Sequence, residues 1–211
     1  MKKQLILSAI AAVALGAPAA SMAESLDFNY KVDRFADIEV LRYKVPDFEQ
    51  LTTQQKELVY YLTEAALYGR DILTDQNGKY NLAIRTTLEN IYKNYDGSKD
   101  DADYKGFVLY LKQVWFANGI HHHYSTDKFT PQFSQAFFET QVKKLSKKQL
   151  PLKKGQTVDA FLKEITPVIF DPTVMAKRVN QANGQDLILT SANNYYEGVT
   201  QAEVEQFYAA M

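Results

Sequence analysis

The strongest constraint on the fold comes from residues 104–129, which read YKGFVLYLKQVWFANGIHHHYSTDKF. Apolar side chains recur there three and four residues apart, which predicts an amphipathic helix with a wide buried stripe. Asn118 and Gly119 predict its end, because glycine readily adopts the left-handed conformation that closes a helix. The only tryptophan and all three histidines of the chain fall in this stretch. The stripe is formed by Phe107, Val108, Leu111, Val114 and Trp115.

The composition excludes several classes of protein. The chain has 211 residues, with 24 Lys and Arg against 25 Asp and Glu. This balance argues against a nucleic-acid-binding protein, which needs a basic face to neutralise phosphates. Since there is no cysteine, a thiol nucleophile, a cysteine-ligated metal and a disulfide are all excluded.

Residues 1–23 have the pattern of a secretory signal peptide. Lys2 and Lys3 form a positive start, residues 5–17 form an apolar core, and Ser21 to Ala23 offer small residues at a cleavage site before Glu24. The apolar run is short for a membrane span. We therefore expect an exported, periplasmic protein with no stable membrane anchor after cleavage.

Helical periodicity and capping residues continue along the mature chain, residues 24–211. Thr52 and Gln55 match a capping box, and one apolar face then extends to about Thr74. Gly69 in this face indicates close packing against a neighbour. Further helices are predicted over residues 81–95, from Thr130 and Pro131 to Leu145, from Thr157 to Ile169, from Asp171 and Pro172 to Asn183, and from Thr200 onward, with a short strand over residues 186–191 and extended or short helical pieces over residues 25–48.

These elements predict a mainly α-helical lobe with a few short strands. The last predicted helix runs into Met211 with no glycine, proline or polar tail to stop it. We therefore expect the chain to be the front part of a longer protein. The basic run of residues 143–154 is typical of a solvated helix end and loop.

The histidine run is the one cluster with metal-ligand chemistry. His121 and His123 would share a side of an extended segment, and with Asp127 they could hold zinc with an open position. Structural histidines that cap the preceding helix and pack against Tyr124 are the favoured alternative. A third interpretation places these histidines in the lining of a substrate cleft.

A second unusual cluster is formed by neighbouring amides and phenols near the end of the chain. Such groups can hold a peptide backbone or a sugar, although a plain loop between a strand and a helix has the same composition. No H-E-x-x-H helix, G-x-S-x-G elbow or glycine-rich phosphate loop occurs in the sequence. We therefore assign no catalytic, cofactor-binding or metal-binding residue to the chain. The cluster comprises Asn193, Asn194, Tyr195, Tyr196 and Glu197.

Several stretches, in order along the mature chain, resemble bacterial members of the dipeptidyl peptidase III family. They are KVDRFADIEVLRY at 31–43, QKEL at 55–58, GRDIL at 69–73, DQNGKYN at 75–81, WFANGIHHHY at 115–124 and NYYEGVT at 194–200. The resemblance covers nearly all of the mature chain and corresponds to the N-terminal portion of the family.

The resemblance implies a two-lobed zinc metallopeptidase that removes dipeptides from the N-terminus of oligopeptides. The family's zinc is held by an H-E-x-x-G-H helix and a later glutamate, and the motif glutamate acts as general base on the zinc-bound water. None of these residues occurs here. The zinc motif is thus expected outside this chain, which would be inactive alone. The resemblance therefore implies an enzyme family, but it does not make this chain an enzyme by itself. The alternative from another class is a stand-alone periplasmic module that binds peptides or glycans.

Overall fold

The computed structural model of the protein describes residues 28–211, and it is mainly helical as predicted. The predicted signal peptide and the cleavage site before Glu24 lie outside the described residues. No helix of the described part is both long and apolar enough to cross a membrane. The described part of the chain divides into two compact units, the first ending at Gln50 and the second comprising residues 51–211.

The described part of the first unit is a β-hairpin followed by a single 3₁₀ turn. Strands β1 (Lys31–Phe35) and β2 (Ile38–Leu41) pair antiparallel, with Phe35 opposite Ile38. Ala36 in the two-residue turn has a φ of 48°, in the region that tight hairpin turns require. The 3₁₀ turn is Phe48–Gln50.

The second unit consists of helices joined by short connections. Ser134, and not Thr130 or Pro131, caps the fifth helix, because its hydroxyl accepts the amide hydrogen of Phe137 and Asp103 accepts the amide hydrogen of Ser134. The helices are α1 (Thr53–Tyr68), α2 (Arg70–Gln76), α3 (Asn81–Asn94), α4 (Ala102–Ala117), α5 (Gln135–Lys144), α6 (Val158–Phe170), α7 (Leu187–Thr190) and α8 (Gln201–Ala209), with a 3₁₀ turn at Lys147–Gln149.

The core of this unit is aromatic and lies between α3, α4, α5 and α6. Phe133 is its centre, with its ring edge-to-face on Phe107, Tyr110 and Phe170 at centroid distances of 5.5–5.6 Å. Such contacts add to the free energy of burying the rings. Fully buried side chains that surround this group include Ile84, Leu88, Leu111, Val114, Phe138, Val142, Ile165 and Ile169.

Helix α1 differs from its prediction in two ways. The single helix expected to Thr74 divides at Gly69, whose missing Cβ would meet only Ala66 of α1 itself, so the predicted close packing against a neighbour is wrong. The capping box of Thr52 is present. The expected buried face is instead exposed, with Leu58 and Leu62 at 58% and 60% of their full accessibility.

Two further predictions after α6 are wrong. Residues 171–183 form turns, bends and one isolated bridge in place of a helix. Asp171 uses its carboxylate to accept from Thr173, and Lys177 then pairs with Asp127. The predicted strand over residues 186–191 is instead the short helix α7 with its two capping residues. Asp186 caps this helix by accepting from the amides of Ile188 and Leu189.

Candidate functional site

The histidine run lies on a tight loop that leaves the end of α4. Asn118, and not Gly119, takes the left-handed conformation, with a φ of 52°. His121 then forms an antiparallel bridge with Lys128. The amide of His122 donates to the carbonyl of Asp127 at 2.8 Å, which closes the loop. The three imidazole rings therefore lie in different environments: His121 is buried, whereas His122 and His123 are half-buried.

His121 is a buried, neutral side chain. It is 2% exposed, and its Nε2 lies 2.7 Å from the carbonyl oxygen of Met175. Because a carbonyl only accepts, Nε2 carries the proton. Burial lowers the pKa of His121 to about 4, against the weaker opposing effect of the Met175 hydrogen bond.

The zinc set considered from the sequence is not assembled. The Nε2 of His121 is engaged by Met175, and the Asp127 carboxylate lies 2.5 Å from the ammonium of Lys177. Within residues 28–211, no group of three or more His, Asp or Glu side chains is arranged to hold a metal ion.

The two clusters singled out in the sequence are brought together by the backbone around Arg178. On one side, the amide of Arg178 donates to the carbonyl of Thr126 at 2.8 Å. On the other side, the amide of Asn193 donates to the carbonyl of Arg178 at 3.1 Å. The histidine loop and the asparagine segment thus flank the same stretch of backbone.

Arg178 is the charged centre of this arrangement. Its guanidinium donates to Asn77 Oδ1 at 3.3 Å and to the carbonyl of His123 at 3.2 Å. Asn77 is itself fixed, since its amide donates to the carbonyl of Asn118 at 3.1 Å. No carboxylate within residues 28–211 pairs with Arg178, so neutral acceptors hold the charge. We call the five residues Asn77, His123, Arg178, Asn193 and Asn194 the Arg178 cluster.

The remaining predicted residues contribute to different degrees. The amide of Asn194 donates to the carbonyl of Gln76 at 2.9 Å, and its side chain approaches Asp75 Oδ2 at 3.5 Å. Glu197 forms an ion pair with Lys79. Tyr195 and Tyr196 are exposed. His121 points into the core and takes no part in this surface.

Lys128 connects the histidine loop to the end of α6. Its ammonium donates to the carbonyls of Val168, Val174 and Asp171, the first two at 3.0 and 2.6 Å. The carbonyls at a helix C-terminus lack partners within the helix, so a lysine that binds them stabilises the end of α6.

Replacement of Lys128 by methionine is expected to destabilise the protein by about 2 kcal/mol, because three carbonyls lose a charged donor. Lys177→Met is the matched control, since it removes only an exposed ion pair with Asp127 and should cost less than about 1 kcal/mol. Urea denaturation of both variants measures the difference. Equal losses of stability would show that Lys128 has no special role.

No family model matches the chain, and no curated protein matches it.

Sequence reasoning missed Asn77, Arg178 and Asp75 as members of this surface. Arg178 was placed in a predicted helix, where it would be one more solvated charge. Asn77 and Asp75 lie in the stretch 75–81 that contributes to the family resemblance, and neither was given a role of its own. No local pattern distinguishes these roles, because Arg178 gains its neighbours through pairing with segments far away in the sequence.

Proposed function

We propose that the chain is the N-terminal part of an exported, zinc-dependent dipeptidyl peptidase III-like exopeptidase that removes dipeptides from the N-terminus of oligopeptides. In this proposal the Arg178 cluster contacts the peptide, and zinc and the general base come from residues outside the chain. The observation that carries it is the guanidinium of Arg178, held by neutral acceptors between the two clusters that the sequence singles out.

The groups around Arg178 match the chemistry of a peptide. The Nε of Arg178 is buried without a hydrogen-bond partner among the described residues, and a guanidinium can donate to a peptide carbonyl. The side-chain amide of Asn193 makes no hydrogen bond within residues 28–211 and offers both a donor and an acceptor. The exposed rings of Tyr195 and Tyr196 offer flat surfaces for substrate side chains.

A carboxylate at the same surface suits a free peptide N-terminus. Asp75 is contacted by the side chain of Asn194 at 3.5 Å, and it forms no ion pair in the described part of the chain. An unpaired carboxylate beside hydrogen-bonding amides attracts an ammonium group. This requirement for a free N-terminus is what an exopeptidase of this type would impose.

The exposed apolar side chains of α1 also support a role within a larger assembly. Soluble proteins rarely leave contiguous large apolar patches uncovered, and Leu58, Leu62 and Tyr61 are all more than half exposed.

The test uses native protein captured by antibodies raised against residues 24–211, compared with the same residues produced alone. We expect the captured protein to release dipeptides from a dipeptidyl naphthylamide, to lose this activity to a chelator and to regain it with zinc. The recombinant residues alone should release none. Captured protein without chelator-sensitive dipeptide release would overturn the proposal.

In the same native enzyme, Asp75→Asn is expected to raise KM about tenfold for a tetrapeptide with a free N-terminus, through loss of one charge-assisted hydrogen bond. Asp159→Asn is the control, because Asp159 is an exposed residue of α6 that forms no ion pair within residues 28–211. An unchanged KM for Asp75→Asn would remove Asp75 from the peptide site.

The stand-alone binding module remains the second candidate, favoured by the exposed pair Tyr195 and Tyr196. It predicts that residues 24–211 bind a tetrapeptide or an oligosaccharide in calorimetry without zinc, while captured native protein releases no dipeptides.

A further inference from the structure

A second site lies at the cleft between the end of α1, helix α2 and the outer faces of α3 and α4. Its volume is about 640 Å³, which is within the range of small-molecule sites. None of the residues of the Arg178 cluster lines it. The cleft is lined by Leu67, Arg70, Asp71, Arg85, Glu89, Tyr92, Lys93, Trp115 and Asn118, and we call it the Trp115 cleft.

One wall of the Trp115 cleft is aromatic and accessible. The rings of Tyr92 and Trp115 meet edge-to-face at 6.0 Å, and the two side chains are 44% and 42% exposed. The indole of Trp115 donates to Glu89 Oε1 at 2.9 Å, which fixes the ring in place. The exposed side chain of Leu67 adds an apolar surface. This wall is suited to an aromatic or branched apolar group.

The carboxylates of the cleft are already engaged. Arg85 pairs with Asp71, and its Nε lies 3.6 Å from Glu89 Oε1. The Arg85 side chain is only 14% exposed, and it also donates to Thr74 Oγ1 at 3.0 Å. Arg85 and the indole of Trp115 therefore hold both acids in place.

The two remaining cations of the cleft have no such partner. Arg70 and Lys93 are exposed, line the same cavity and form no ion pair with any residue of the range 28–211. Three cations against two carboxylates leave a net charge of +1. A cleft with this charge favours an anion over a cation, and its aromatic and apolar wall favours an anion that carries an apolar body.

We propose that the Trp115 cleft binds an organic carboxylate with an aromatic or branched apolar body, the chemistry of the C-terminal residue of a peptide. Arg70 and Lys93 would hold the carboxylate, while Tyr92, Trp115 and Leu67 pack against the body. This inference does not depend on the proposed peptidase function.

The test uses the fluorescence of Trp115, the only tryptophan in the chain, in the purified protein. N-acetyl-L-phenylalanine is expected to give a saturable change. Its amide, which lacks the carboxylate, and N-acetylglycine, which lacks the apolar body, should each bind at least about tenfold more weakly. Absence of a saturable change, equal affinity for the amide, or equal affinity for inorganic phosphate would overturn the proposal.

The double variant Arg70→Gln with Lys93→Gln should weaken binding of N-acetyl-L-phenylalanine about tenfold or more. Lys154→Gln is the control, because Lys154 is exposed and forms no ion pair in the described part of the chain. Circular dichroism checks that both proteins stay folded. Unchanged affinity in the folded double variant would contradict the assignment.

A tripeptide identifies the source of the ligand. If Gly-Gly-Phe binds as tightly as N-acetyl-L-phenylalanine, the ligand is the C-terminal end of a peptide. If Gly-Gly-Phe binds more weakly, the ligand is a free small acid.

Discussion

Replacement of Gly106 by alanine is expected to destabilise the helical unit by about 3 kcal/mol, at the upper end of the cost of overpacking a core. Gly106 lies in the second turn of α4, where an added Cβ would stand 1.8 Å from the carbonyl oxygen of Gln132 and 2.5 Å from its carbonyl carbon. These are backbone atoms, so no side-chain rotation relieves the clash. The next residue, Phe133, is the centre of the aromatic core, and a shift of Gln132 displaces it.

Gly155→Ala is the matched control for this prediction. An alanine there meets no atom within 4 Å, and its only cost comes from a φ of 79°, which is about 1 kcal/mol for a residue with a side chain. Urea denaturation of both variants distinguishes the free-energy cost of the clash from the cost of replacing a glycine. Equal destabilisation of the two variants would show that α4 and the segment before Phe133 are not held in close contact.

The helix boundaries that could be predicted are those whose signal is local. The caps at Thr52, Thr157 and Thr200 were all identified. In each cap the threonine hydroxyl accepts a hydrogen bond from the backbone amide three residues later, so the whole signal lies within four consecutive residues. The helix spacing around Phe107 also gave most of the buried face of α4, since Phe107, Leu111 and Val114 are buried. Trp115, which was expected in the same stripe, is instead 42% exposed.

The errors occur where a distant segment decides the local structure. Pro131 suits a first helical turn, yet the helix starts later because Asp103, thirty-one residues earlier, accepts from Ser134. Asp186 was interpreted as part of a strand, but its carboxylate also accepts from the amide of Gln201 at 3.0 Å and so joins α7 to α8. Local propensity is a weak guide in both places.

In the candidate site, too, the sequence identified what depends on local residue types and missed what depends on distant contacts. Residue types alone identified the histidines and the asparagine pair as unusual. They could not show that His121 enters the core while His123 accepts a hydrogen bond from Arg178 at the surface. That difference depends on the bridge between His121 and Lys128 and on the pairing of Arg178 with Thr126.

Acidification from pH 6.5 to pH 4 is expected to remove about 3 kcal/mol of stability through His121 alone, at about 1.4 kcal/mol for each unit of pKa difference. Burial lowers the pKa of the folded state to about 4, while the unfolded chain has the ordinary value of 6.5. Between these values the unfolded chain binds a proton that the folded protein does not, so stability falls as the pH falls. Lys128 and Arg178 nearby oppose a positive charge on the ring, and Asp127 favours it less strongly.

The variant His121→Gln isolates this effect from the carboxylates that also titrate in acid. Glutamine retains an N–H that can donate to the carbonyl of Met175 and has no proton to gain, so its stability should fall less steeply between pH 6.5 and pH 4. Urea denaturation at several pH values gives the free energy of unfolding of both proteins, and their difference should change by about 3 kcal/mol over this range and stay constant below pH 4. Parallel pH profiles for the two proteins would mean that the imidazole is accessible to protons in the folded state and that His121 belongs to the surface loop rather than to the core.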